Sequence, residues 1–238
     1  MKKAFFALLL LFIGFSASKA QDYQPGYVIL NDGSRVGGYI ALDDSSPWFN
    51  QRYIRMKDSA AFAADKNVKS KKIKADDMKL FAVTGRVFDK VHYVDLQNLQ
   101  LKSMGTNDHM MERLSTGKIN AHRFYPSPAD VNIYFDTEEE VNRKEKEKKD
   151  ALIQGYFILA QKGDDKLRNA FDYDLQKYFE DTPEVLEKYK SGGYGNQPVK
   201  KGLAARMVAM AKKTAFRQDE ADGIVAAFND YNAKNAAK

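Results

Sequence analysis

His92, His109 and His122 are the side chains in this 238-residue chain best suited to holding a metal or moving a proton near neutral pH. In His109-Met110-Met111-Glu112 the imidazole and carboxylate are three residues apart, which on a helix would place them on one side, as a metal site requires. Zinc usually takes three or four protein ligands. Without any cysteine, the rest would have to come from scattered histidines and acids. His92 and His122 stand beside Tyr93 and Phe124 in strand-like runs, where a hydrogen-bonded ring is the expected role. Ser115-Thr116-Gly117-Lys118 spells S-x-x-K, in which a lysine activates a serine at a helix start. Its glycine and the strand-like "INAHRFY" that follows point instead to a turn, and the companion Ser-Asp-Asn and Lys-Thr-Gly motifs are absent.

The acids have no better credentials for catalysis. Asp43-Asp44, Asp76-Asp77 and Asp164-Asp165 lie in hydrophilic stretches, whereas an acid/base pair needs burial to push two pKa values apart. There is no Gly-x-Ser-x-Gly elbow, phosphate-binding loop or dinucleotide fingerprint. "KNVKSKKIKADD", Lys66 to Asp77, carries five lysines and suits either an anionic surface or a lysine-protected sheet edge, the commoner use. The sequence therefore assigns no catalytic residue, no cofactor or cofactor-binding residue and no metal ligand.

The elements that would position any site begin after a leader. "MKKAFFALLLLFIGFSASKA" has a basic start, an apolar run from Ala4 to Phe15 and a small-residue exit, the form of a secretory signal peptide over residues 1–20 cleaved after Ala20. The run falls short of the ~20 residues a membrane span needs. With no cysteine, lipoprotein attachment and disulfides are excluded. Removing Lys2, Lys3 and Lys19 lowers the net charge from +6 to +3, too weak and mixed in sign to imply nucleic acid.

The remaining residues divide near Asp136 into a β-rich domain, 21–136, a charged connector with a candidate last strand, 137–163, and a helical module, 164–238. Short apolar alternations mark the first part: the hairpin "GYVILNDGSRVGGYI", then "RYIRM", "MKLFAV", "RVFDKVHYV", "INAHRFY" and "VNIYF". With Asp32-Gly33 as a two-residue turn, Tyr27, Ile29, Val36 and Ile40 share the core face, and Gly37-Gly38 marks a bulge or a close backbone approach. "EEEVNRKEKEKKD", Glu138 to Asp150, reads as a solvated helix or hinge, and "YFILAQ" as a strand. Leu167, Phe171, Leu175 and Phe179, four residues apart, predict an amphipathic helix. A second helix begins at Thr182-Pro183 and ends at Gly192-Gly193. Leu203, Met207 and Met210, then Ile224, Phe228 and Tyr231, give two more. The fold class is α+β: an antiparallel sandwich or partial barrel followed by a small helical module.

"PGYVILNDGSRVGGYI", "DDMKLFAVTGRV", "STGKINAHRFY", "YFEDTPEVLEKYK" and "VAAFNDYN" together resemble a broad group of secreted Bacteroidota proteins of unknown function. These open with Gly-Tyr-Val-x-x-Asn-x-Gly and end in a small helical segment. The resemblance covers Gly26 to Tyr231 and implies no catalytic residue; the charged Glu138 to Asp150 stretch departs from it. The expectation is an exported, periplasmic or extracellular envelope protein. It would be a non-enzymatic binding or interaction module with a protein or cell-envelope partner and no nucleic acid. The alternatives are a periplasmic binder with an aromatic-lined cleft between sheet and helices holding a lipid or glycan, or a hydrolase using His92, His109 or His122.

Overall fold

The computed structural model describes residues 22–94, 107–127, 137–172, 174–199 and 216–236. The leader expected over residues 1–20, the strand expected over Val131 to Phe135 and the helix expected from Leu203, Met207 and Met210 lie outside the described residues. The strands are β1 (Tyr23–Leu30), β2 (Arg35–Ala41), β3 (Tyr53–Asp58), β4 (Lys71–Lys74), β5 (Met78–Val83), β6 (Arg86–His92), β7 (Asp108–Ser115), β8 (Ile119–Phe124), β9 (Phe157–Lys162) and β10 (Arg168–Asn169). They form one antiparallel sheet in the order β10-β9-β8-β7-β6-β5-β1-β2-β3-β4. The described helices are α1 (Pro47–Asn50), α2 (Ser59–Ala64), α3 (Glu138–Gln154), α4 (Gln176–Phe179), α5 (Pro183–Lys190) and α6 (Gln218–Lys234). The protein is α+β and β-rich toward its N-terminus, as expected.

One end of the sheet curls back on itself. Gln51, just before β3, accepts a hydrogen bond at its carbonyl from Met110 N on β7 (2.9 Å), and its side chain pairs with the backbone of Tyr125. Asn31 and Lys90 both donate to the Asp76 carbonyl, tying the turn after β4 to β1 and β6. The partial barrel so formed encloses Val28, Ile40, Ile54, Met56, Met78, Phe81, Phe88 and Met110. On the same sheet face, further along, Ile119 and Ala121 of β8 and Ile158 and Ala160 of β9 pack against Phe179, Val185, Tyr189, Ile224, Phe228 and Tyr231 of α4, α5 and α6. The helices are thus a layer on the sheet, sharing one core with its strands.

The first hairpin differs from the expectation by one residue. Leu30 N donates to Ser34 O and Gly33 N to Leu30 O, so three residues make the loop, with Gly33 at φ +88. Val28 therefore pairs with Val36 and Gly26 with Gly38. A one-residue slip moves every side chain of β1 to the other face, so Val28 is buried where Tyr27 and Ile29 were expected. Of the two strand glycines, Gly38 is the close approach: a Cβ there would collide with the carbonyl of Lys57 and the Met56 side chain, while one at Gly37 meets open space.

The helix expected over Leu167 to Phe179 is also corrected. Asn169 accepts at its side chain from Phe171 N and donates to Asp172, while Ala170 N bonds back to Ile158 O (2.7 Å). These bonds give the backbone a turn and a short strand, β10, in place of the helix. Helix starts only at Gln176, leaving Leu175 and Phe179 buried and Phe171 half-buried. The charged stretch is helix α3, opened by a Thr137–Glu140 capping box with three acids in its first turn. "YFILAQ" forms β9.

Candidate functional site

Strands β6, β7 and β8 carry charge on both faces, because neighbouring strand residues point opposite ways. Glu112 and Arg113 are adjacent on β7 and serve two different clusters. On the outer face Arg113 grips Asp89 of β6 with two hydrogen bonds, 2.7 and 2.5 Å, and His122 of β8 donates from Nε2 to the same carboxylate at 3.0 Å. Burial pushes the Asp89 carboxyl up, but the His122 and Arg113 hydrogen bonds outweigh it and hold the group at about 2. On the inner face Glu112 takes both fork nitrogens of Arg86 (2.9 Å each) and Nη1 of Arg123 (2.8 Å). Arg123 stacks over the ring of Tyr156, 4.4 Å from its centre.

A cleft of about 490 Å³ opens over the outer cluster, lined by Asp89, Arg113, Thr116, Asn120, His122 and Gln161, with Val91 and Leu167 as its apolar wall. His92 stands at its margin, exposed and bonded through Nδ1 to Asp108 (2.9 Å). His122 is therefore a hydrogen-bonded ring, as read from the sequence, and its partner is a carboxylate from a strand two places away. Its Nδ1 is closed off from solvent and has no partner among the described residues.

His109 is elsewhere. On a strand, residues three apart fall on opposite faces, so it shares no site with Glu112. It donates from Nε2 to the Tyr93 carbonyl (3.2 Å) and stands edge-on to Phe124. Burial, with Arg52 nearby, pushes its pKa down to about 4. Among the described residues no group of three or more His, Asp or Glu could hold a metal ion. Ser115 ends β7, its Oγ accepting from Asn232 of α6 (2.8 Å), and Gly117 at φ +147 sits in the turn that follows. The S-x-x-K spelling is a β7–β8 turn pinned by a helix, with the serine buried as an acceptor. Lys71, Lys72 and Lys74 lie on β4, the last strand of the sheet on that side among the described residues.

Sequence reasoning passed over Asp89, Arg86, Arg113 and Arg123. Each looks like an ordinary solvent-facing charge in an alternating strand. Only the register that pairs Arg113 with His122 and Glu112 with Arg123 reveals the clusters.

Compared with known proteins, the chain matches no family model, no curated protein and no solved structure.

Proposed function

We propose that this protein is exported and acts at the cell envelope, in the periplasm or outside the cell, as a non-enzymatic binding module, and that the outer cleft holds a hydroxylated ligand such as a glycan. One observation carries the reading: the cleft mixes fixed donors and acceptors, Asn120, Gln161, Thr116 and the Asp89–Arg113 pair, against the small apolar wall of Val91 and Leu167. Sugars present alternating hydroxyls and C–H faces, and a site locked by its own hydrogen bonds loses little entropy on binding them. Its volume lies within the range of small-molecule sites. The wall is aliphatic rather than aromatic and lies on the sheet face opposite the helices, unlike the cleft expected between sheet and helices, and the polar lining favours glycan over lipid.

A hydrolase is the weaker reading. A general base needs a nitrogen within reach of substrate. In His122 and His109 one ring nitrogen is spent, on Asp89 and on the Tyr93 carbonyl, and the other is shut away from solvent, which leaves His92, exposed at the cleft margin with Nδ1 on Asp108, as the histidine for that reading to use. Export rests on the leader and on the resemblance to secreted Bacteroidota proteins, and no helix among the described residues is long and apolar enough to cross a membrane.

Titration of the processed protein with a panel of neutral and acidic oligosaccharides, followed by amide chemical shifts, tests the ligand. One glycan class should bind saturably and shift resonances of β7 to β9, with Asn120→Ala and Gln161→Ala each weakening it about tenfold, the usual scale of one or two lost hydrogen bonds. Saturable binding of none of them, or turnover of a glycan that disappears in His92→Ala or His122→Ala, overturns the reading. Mass spectrometry of the exported form should find Gln21 at the amino terminus; Met1 retained in membranes overturns the location.

A further inference from the structure

The inner cluster lies between two apolar cores on one sheet face. Along β7 the inward residues run from Met110, in the barrel core, through Glu112 to Leu114, which packs against the helix-covered core. Along β8 they run from Ala121, in the helix-covered core, to Arg123. At this junction a cavity of about 290 Å³ is walled by Pro47, Phe88, Met110 and Leu152 and floored by Arg86, Glu112 and Arg123.

The charges do not cancel. Two guanidiniums face one carboxylate, and the remaining acid, Asp44, is 3.9 Å from Arg86 with 85% of its side chain exposed, where water and salt screen it. Nε of Arg123 is buried without a partner among the described residues, a donor that elsewhere in a folded interior would be satisfied. Gln51 and Asn50 of the wall are already committed to the Tyr125 and Asp43 backbones, so they hold the cavity's shape and leave the guanidiniums, with the Tyr125 side chain beside them, to recognise a ligand.

We infer that this cavity is a second binding site, independent of the outer cleft, for a carboxylate carried on a short apolar chain. A carboxylate is the planar anion that a guanidinium fork matches. One negative charge neutralises the single surplus positive charge, whereas a dianionic phosphate would leave the cluster with a net negative charge. The apolar wall asks for hydrocarbon behind the head group, and the volume, at the small end for a ligand site, holds a chain of a few carbons or one terminal side chain. Two sources share that chemistry: a free carboxylic acid and the carboxyl end of a polypeptide.

The test titrates the processed protein with hexanoate, with N-acetyl-leucine, and with a leucine-terminated peptide as free acid and as amide, following the arginine side-chain Nε–H resonances by NMR. The expected result is saturable shifts of the Arg86 and Arg123 resonances with carboxylates and none with the amide. Tighter binding of the free-acid peptide than of hexanoate assigns the site to chain ends, and the reverse assigns it to free acids. Arg86→Gln, at the half-exposed rim and therefore tolerated by the fold, should weaken binding about tenfold or more. Glu112→Gln removes the resident competitor and should tighten binding by a similar factor, a gain that a purely structural cluster would not produce. Absence of saturable shifts, equal competition by inorganic phosphate, binding unchanged in Arg86→Gln, or weaker binding in a folded Glu112→Gln protein each overturns the inference.

Discussion

His109 and Asp89 make the folded protein sensitive to acid in two separate windows. The His109 pKa is pushed down from 6.5 to about 4, so above 6.5 the ring is neutral in both folded and unfolded chains and its contribution is complete. As pH falls from there toward 4, the unfolded chain binds a proton that the buried ring refuses, and up to about 3 kcal/mol is lost. Asp89 is held at about 2 against an ordinary 3.8, so its contribution of roughly 2 kcal/mol persists above 3.8 and is lost as pH drops through that range. Urea unfolding at pH 7 and pH 5 should show the first loss, and His109→Gln should reduce the difference between the two pH values. Acid titration from pH 4 to pH 2 should show the second, and Asp89→Asn should flatten it. A wild-type protein equally stable at pH 7 and pH 5 contradicts the burial of His109. At this scale the sequence showed the histidines but not their partners. Asp89 and His122 are 33 residues apart and meet only through the register of three strands.

The elements were more legible, and the misses share a physical cause. The runs read as "MKLFAV", "RVFDKVHYV" and "INAHRFY" are β5, β6 and β8. Strand β7, "DHMMERLS", did not stand out because its alternation is gone: Met110 faces the barrel core and Met111 a smaller cluster with Phe124 and Leu159 on the opposite face. When both faces are covered, periodicity no longer marks a strand. The helix expected over Leu167 to Phe179 failed in the opposite way, since its four-residue spacing was real but Asn169 offered the backbone better local bonds. The β5–β6 hairpin turns tightly, with Val83 paired to Arg86. Its loop is the two residues Thr84 and Gly85, both at positive φ (49 and 79), the conformation in which a β-branched residue is strained and Asn is preferred. Thr84→Asn should raise stability by about 1 kcal/mol in urea unfolding, without altering amide shifts beyond the turn. A neutral or destabilising result would mean that the threonine makes a compensating contact.

Across the whole molecule, one sheet passes under both apolar cores. Phe179 touches Tyr189, Phe228 and Tyr231 in the helix layer, and the same core contains Ile119 and Ile158 of the sheet. Trp48, the only tryptophan, is buried in α1 near the barrel end, remote in sequence from these helices. Phe179→Ala should cost about 3 to 5 kcal/mol, and the fall should appear at the same urea concentration by far-UV circular dichroism and by Trp48 fluorescence. Phe171→Ala, at a half-buried position, should cost clearly less. A Trp48 transition that stays where it is in the wild type while the helical signal moves would show that the barrel unfolds on its own.

The place of β1 in the sheet has a consequence for synthesis. Although it is the first of the described strands in the chain, it is an interior strand, hydrogen-bonded to β2 on one side and β5 on the other. A chain emerging N-terminus first can close the β1–β2 hairpin early, yet the other side of β1, with Val28, Ile29 and Leu30, stays an open template until Met78–Val83 have emerged. During that interval the nascent chain carries an unpaired, β-branched sheet edge of the kind that recruits other strands. Lys57, Lys71, Lys72 and Lys74 of β3 and β4 emerge within the same interval and protect the opposite margin of the growing sheet, so the open side of β1 is its bare margin until β5 arrives.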